Sequence, residues 1–158
     1  MAMTLQDIGL SVKRLQVRHH RAADDALASL GVSLVQWDAL RHMDENPGAS
    51  LHDLALLTFQ TDQSFGALAS RMIERGLIDR TPGPGRAVRH ALTDKGGDVR
   101  RAGARLLEKV LAQSFAPLST SQLATFGKLL AALVDPEPPE RARGTAKRAA
   151  SRSRSRSK

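Results

Sequence analysis

The stretch SLHDLALLTFQTDQSFGALASRMIERG, from Ser50 to Gly76, decides the fold. Ser50 followed by Asp53 reads as a helix start. The hydroxyl can satisfy one backbone N–H left over at a helix end, and the carboxylate can reach back to another. Leu51, Leu54, Ala55 and Leu57 then supply one apolar face. Thr58-Phe59-Gln60 leaves only a few residues of connection before Thr61 or Asp62 caps a second helix. In that helix Phe65, Leu68, Met72 and Ile73 share one side at helical spacing, which is predicted to be buried. The other side presents Asp62, Gln63, Ser64, Ala67, Ser70 and Arg71, mostly short and polar. Gly76 stands where a left-handed cap is wanted. Two short helices, a tight turn and an exposed second helix predict a helix-turn-helix.

Leu77 to Thr81 can form a strand, and Pro82-Gly83-Pro84-Gly85 must turn, because proline lacks a donor and glycine tolerates positive φ. From Arg86 to Leu92 the pattern alternates, with Val88, His90 and Leu92 on one side and Ala87, Arg89 and Ala91 on the other. A hairpin after a recognition helix is a wing. This one carries Arg80, Arg86 and Arg89, and arginine at a hairpin tip suits the negative potential of a narrow minor groove. The plainer alternative is a helix–helix–hairpin packed in a domain with no such role.

The 158 residues suffice for one domain with a proper core. The absence of cysteine excludes disulfides, thiolate metal sites and thiol redox sensing. No signal pattern opens the chain and no apolar run approaches membrane-spanning length, so no membrane partner is expected and a cytoplasmic location is. Net charge is +8. From Pro136 onward eight cations stand against Glu137 and Glu140, so +6 belongs to the last segment and only +2 to residues 1–135. That segment, 136–158, ends in Ser-Arg repeats and is predicted to be a disordered basic tail. It reads either as a phosphate-binding arm or as a solubilising extension.

Thr4 can cap a long first helix whose Leu5, Ile8, Val12, Leu15, His19, Ala22 and Ala26 alternate three and four apart, a heptad-like seam. Leu10, Val17, Leu27 and Leu30 widen its apolar surface, and Gly31 ends it. Ser33 with Gln36 forms another capping box, opening a helix with Leu34, Trp37, Leu40 and Met43 on one side. Asn46-Pro47-Gly48 stops that helix. Beyond the wing, Thr93 caps a helix weakened at its start by Gly96 and Gly97, with Val99, Ala102, Leu106, Val110 and Leu111 as its stripe. Pro117 breaks it. Ser119 and Gln122 open a last helix with Leu123, Phe126, Leu129, Leu130 and Leu133. The domain reading is therefore dimerisation helices at 1–32 and 93–135 around a DNA-binding winged unit at 33–92. The terminal helices carry more apolar surface than one winged domain needs, which points to a homodimer on a near-palindromic duplex.

In this order the parts resemble the MarR family. The motifs that carry the resemblance are Gln36-Trp37 with Leu40, Leu51-x-x-Leu54-Ala55, Arg71-Met72-Ile73-Glu74-Arg75-Gly76-Leu77-Ile78-x-Arg80 and Leu92-Thr93-x-Lys95-Gly96. The resemblance covers about residues 5 to 134. It implies a mainly α fold with a small β-hairpin wing, a homodimeric transcription regulator, and a repressor released by a small aromatic or phenolic effector. It also implies that Thr61 to Gly76 is the recognition helix and that Arg86 enters the minor groove. Two departures stand out. Pro84 occupies the position where the family commonly has an aspartate that braces the wing. Gly66 and Ala67 stand where longer polar side chains often read bases. Base reading would then rest on Gln63, Ser64 and Asp62, with glutamine suited to adenine, while Arg71 and Arg75 are expected on phosphates. The DNA-binding set is Thr61, Asp62, Gln63, Ser64, Ala67, Arg71, Arg75, Arg86 and Arg89.

An effector pocket would, by the same resemblance, lie between the dimer helices and the winged unit, with His19, His20, Trp37, Arg41 and His42 as lining candidates. Trp37 and His19 read equally as core or interface side chains. His19, His20, His42, His52 and His90 include no pair at the four-residue helical spacing of a metal site, so neither metal nor other cofactor is expected. Enzymatic activity is not expected either: no nucleophile elbow is present, and Pro82-Gly83-Pro84-Gly85 is a hairpin tip, not a phosphate loop. The competing function is an architectural DNA-coating protein of low sequence preference, suggested by the weakly polar recognition helix and the Ser-Arg tail.

Overall fold

The computed structural model describes residues 2–134; the segment predicted to be a basic tail, 136–158, lies outside the described residues. Six helices and one hairpin follow in order: α1 (Leu5–Leu27), α2 (Leu34–Glu45), α3 (Leu51–Leu57), α4 (Asp62–Glu74), β1 (Ile78–Pro82), β2 (Val88–Leu92), α5 (Asp94–Phe115) and α6 (Thr120–Val134). The chain divides into two compact units between residues 114 and 115.

Local chemistry places the helix starts where the sequence puts them. Thr4 with Asp7, Ser33 with Gln36 and Ser50 with Asp53 each form reciprocal capping boxes at α1, α2 and α3. In each, two backbone donors that the helix leaves over find side-chain acceptors, and losing such a cap typically costs about 1 kcal/mol. Thr61 Oγ1 accepts from the Ser64 backbone N–H at 3.1 Å, which settles Thr61 as the cap of α4. The end of α1 differs from expectation. Its α-helical part stops at Leu27, and Ala28–Leu30 tighten into one 3₁₀ turn before Gly31 adopts φ +70°.

The core of the first unit sits between α2, α3, α4 and the hairpin. Leu27, Leu40, Leu54, Phe65, Met72, Leu77 and Ile78 are fully buried, joined by Trp37, Met43, Leu68 and Ala69. Each such aliphatic or aromatic side chain contributes on the order of 1.5–3 kcal/mol when withdrawn from water. Val99, Ala104 and Leu107 of α5 pack against this cluster. The expected α4 face is thus buried at Phe65, Leu68 and Met72, with Ile73 at its margin.

Two glycines permit close approaches that the sequence reading missed. A Cβ at Gly103 would stand 2.3 Å from the Trp37 ring, and one at Gly96 would stand 1.9 Å from the Leu77 carbonyl oxygen. Gly96 therefore does more than weaken a helix start: it lets α5 begin directly against the backbone that leads into β1. The Trp37 indole N–H donates to the Arg100 carbonyl at 2.9 Å, locking α2 to α5.

The seam expected on α1 is only partly covered. Leu5 is 88% exposed, Ile8, Leu10 and Val12 are also exposed, and the buried positions are Ala23 and Leu27. Within the second unit, Ser119 and Gln122 exchange side-chain-to-backbone bonds that open α6. Phe115 and Phe126 meet with ring centroids 6.0 Å apart. Leu123, Leu129 and Leu133 are exposed.

Candidate nucleic-acid interface

Helices α3 and α4 and the β1–β2 hairpin present the candidate surface. The α3–α4 connection is short because Thr58 closes α3: its Oγ1 donates to the Leu54 carbonyl at 2.8 Å, and Gln60 N–H returns to Ala55 O at 2.8 Å. Phe59 takes φ +55° at this corner, a left-handed position that usually favours glycine, and its side chain is 98% exposed.

On α4 the whole outward row Asp62, Gln63, Ser64, Ala67, Ser70 and Arg71 is exposed. Thr61 Oγ1 also donates to Ser64 Oγ at 3.0 Å, so the two hydroxyls at the head of the helix are held together. Asp62 is not alone there. His52 Nδ1 of α3 lies 2.9 and 3.1 Å from the two Asp62 carboxylate oxygens. That hydrogen bond, reinforced by the carboxylate charge, holds the His52 imidazole above the ordinary histidine range. Sequence reasoning weighed His52 only as a metal ligand; no periodicity links residues ten apart across a turn.

The wing is a two-stranded antiparallel hairpin with Ile78 opposite Leu92, Arg80 opposite His90 and Pro82 opposite Val88. Leu92 and His90 are partly covered as the alternation predicts, whereas Val88, near the tip, is half-exposed. Burial, and then the Arg80 charge, push the His90 imidazole below its usual range. The tip, which carries Pro84, closes by main chain. Gly83 N–H donates to Ala87 O at 2.8 Å, Ala87 N–H donates to Pro84 O at 3.1 Å, and Gly85 sits at φ +63°. Arg86 is exposed at this tip.

Two of the arginines expected toward DNA are engaged with the protein itself. Arg75 donates to Gln36 Oε1 at 3.1 Å and to the Gly31 carbonyl, stitching the end of α4 to the α1–α2 connection. Arg89 Nε donates to the Gly48 carbonyl at 2.9 Å, tying the wing to the α2–α3 loop. Both are exposed or half-exposed cations with donors engaged by protein oxygens, the Gln36 side chain and the Gly31 and Gly48 carbonyls. Arg71 and Arg86 are the candidates that the geometry leaves on the outer surface.

The five candidate pocket residues divide among different settings. Trp37 is buried in the core with its donor satisfied. Arg41 lies in a surface network with Asp38 and Glu45, and His42 Nε2 contacts the Arg41 guanidinium at 2.9 Å. His20 pairs with Asp24 one turn along α1 at 3.2 Å. His19 Nε2 contacts Ser114 Oγ of α5 at 2.6 Å, and Arg18 donates to the same hydroxyl at 3.0 Å. Burial, then the Arg18 charge, lower the His19 pKa. A separate groove of about 630 Å³ runs along α1, lined by Leu10, Lys13, Arg14, Val17, Arg18, Arg21, Ala22 and Asp25. Among the described residues no cluster of histidine and carboxylate side chains is placed to hold a metal ion, and no helix is long and apolar enough to cross a membrane.

A capped α3, a short turn, an exposed α4 and a hairpin following it directly define a winged helix-turn-helix protein. The model of the MarR family matches residues 30–87, from the 3₁₀ turn to the wing tip. A transcriptional regulator of the MarR family from a Rhodococcus species shares the fold with a TM-score of 0.76 and 20% identity, covering 86% of this chain and 100% of that one. The oxidised form of MarR from E. coli gives 0.74 and 17%, covering 85% and 96%. A MarR family protein of Mycobacterium tuberculosis in complex with salicylic acid gives 0.68 and 23%, covering 84% and 97%, and that protein is also solved in complex with DNA. No curated protein matches the chain in sequence.

Proposed function

We propose that this chain is a homodimeric, DNA-binding transcription regulator that reads a near-palindromic duplex and acts as a repressor relieved by a small aromatic ligand. The observation that carries the proposal is the outward row of α4 next to the Arg86 tip. A solvated polar helix face and an arginine-tipped hairpin fit the major groove and the adjoining minor groove respectively. Gln63 is the principal base reader, with Ser64 and Thr61 beside it, and Ala67 offers a methyl-sized contact. Arg71 and Arg86 contact the backbone and minor groove. Arg75 and Arg89 act by holding these elements in place, since their donors are engaged with Gly31, Gln36 and Gly48.

The dimer is supported by the apolar side chains left open on α1 and α6, Leu5, Ile8 and Val12 on one and Leu123, Leu129 and Leu133 on the other. The ligand class is supported by the salicylic acid bound to the Mycobacterium tuberculosis relative of this fold. Here His19, His20, Arg41 and His42 are its candidate polar contacts.

Selection of bound duplexes from a random pool tests the proposal. A twofold-symmetric consensus, with half-sites about one DNA turn apart (roughly 34 Å), is expected. Affinity for it should exceed that for random duplex by about 10³ or more. A ratio below about tenfold would replace the regulator with the DNA-coating reading, which Gly66 and Ala67 on the reading helix favour. Removing residues 136–158 should lower the slope of log affinity against log salt by about 0.9 for each phosphate that segment contacts, and an unchanged slope would make it a solubilising extension.

A further inference from the structure

We propose that protonated His52 offsets the carboxylate of Asp62, the first residue of the recognition helix, so that DNA binding by this chain takes up a proton at each His52–Asp62 pair. The inference rests on α4 being the DNA-reading element, and it assigns His52 as a positioning residue for that element.

The geometry is specific. His52 belongs to α3 and Asp62 is the first residue of α4, so the pair bridges the two helices of the reading unit across their turn. Both oxygens of Asp62 lie within 3.1 Å of His52 Nδ1, and both side chains are more than half exposed. Asp53, on the same helix as His52, also faces the imidazole, but its carboxylate is engaged by the Ser50 hydroxyl and backbone N–H. Arg89 of β2 in turn faces Asp53. The imidazole thus has two acidic neighbours, and Asp62 alone is bonded to it.

Asp62 has opposite effects in the free and bound states. In the free protein a carboxylate in the first turn of α4 complements the positive end of the helix. Against a duplex the same charge meets phosphates and is repelled. A protonated His52 cancels it. DNA in turn stabilises that imidazolium, so the complex holds the proton more tightly than the free protein does. Reciprocity of linked binding then requires DNA affinity to fall as pH rises through the titration of His52 in the free protein. The Asp62 bond places that titration above the ordinary histidine value of 6.5. His19 and His90 are shifted the other way by burial and titrate below this window.

The test uses the full chain and a duplex enriched from a random pool, with affinities measured at pH 6.5 and 8.5 in low salt. The wild type should bind about three- to fivefold more weakly at the higher pH, the scale of one exposed charge pair. His52→Gln should bind at the weaker level at both pH values, whereas His52→Lys and Asp62→Asn should bind at the stronger level at both. NMR titration of the free protein should show the His52 resonance moving to lower pKa in Asp62→Asn while the dispersion of the remaining resonances stays that of the folded wild type. Equal wild-type affinity at the two pH values, or an unaltered pH dependence in His52→Gln, overturns this proposal alone. Failure of the wild type to bind any duplex at either pH overturns the proposed function and this inference with it.

Discussion

Replacing Gly103 with alanine should destabilise the protein even though alanine is the better helix former. The added methyl would lie 2.3 Å from Trp37 Cδ1 and Nε1 and 3.0 Å from Leu27 Cδ2. The indole cannot simply retreat, because its N–H is bonded to the Arg100 carbonyl one turn earlier in α5. Overpacking of this kind costs about 2 kcal/mol, and loss of the indole bond adds about 1 kcal/mol. Removing glycine from a helix interior returns about 1 kcal/mol. The net loss is then about 2 kcal/mol. The chain has one tryptophan, so urea unfolding followed by its fluorescence reports on the perturbed contact directly. At fixed protein concentration the midpoint should fall by about 1 M for a slope near 2 kcal/mol/M. Gly9→Ala, where nothing lies within 4 Å, is the control and should raise stability by about 0.5–1 kcal/mol. A Gly103→Ala midpoint at or above the wild type would refute the close approach of α2 and α5.

Arg75→Ala should lower the unfolding midpoint by the equivalent of about 1 kcal/mol through loss of its bonds to Gln36 and Gly31, while Arg86→Ala should leave the midpoint unchanged and weaken duplex binding; thermal melts and fluorescence anisotropy separate the two. Phe59→Gly should raise stability by about 0.5–1 kcal/mol in a chemical melt, because it relieves a left-handed backbone position while removing a side chain that packs on nothing. In acid, the Ser50 hydroxyl and backbone hold Asp53 below 3.8, and Thr4 does the same for Asp7. The stability these caps give is present above 3.8 and is lost as pH falls through the lowered values. Asp53→Asn should therefore flatten the acid limb of a pH–stability profile, and an unchanged limb would dismiss the cap as a contributor.

What was legible in the sequence was what local chemistry determines. Thr4, Ser33, Ser50, Thr61 and Ser119 each act within three residues of themselves, so their roles follow from spacing alone. The buried side of α4 was equally plain from its period. Tertiary proximity was not. Arg75 and Arg89 look like DNA contacts because both are cations beside a reading helix or wing, yet their bonds reach carbonyls 44 and 41 positions away. Gly96 looks like a weak helix start, and Gly103 carries no signal at all, until Leu77 and Trp37 are set against them. The α1 seam was visible as apolar spacing, but its exposure at Leu5 and Val12 depends on which elements pack beside α1, which spacing does not encode.

The bonds at the base of the wing bear on how a signal could travel. Arg89 fastens β2 to Gly48, Thr93 Oγ1 donates to the Gly76 carbonyl, and Lys95 Nζ reaches the Arg75 carbonyl at 2.8 Å. The hairpin is thus tied at its base to the residues that end α4 and along β2 to the loop before α3. With these bonds kept, a stimulus arriving through α1 or α5 would tilt helices and hairpin together, like a lever arm. In a symmetric pair, the quantity it alters is the stride between two unchanged heads, and an operator would be lost by mismatch of distance with every individual contact surface intact.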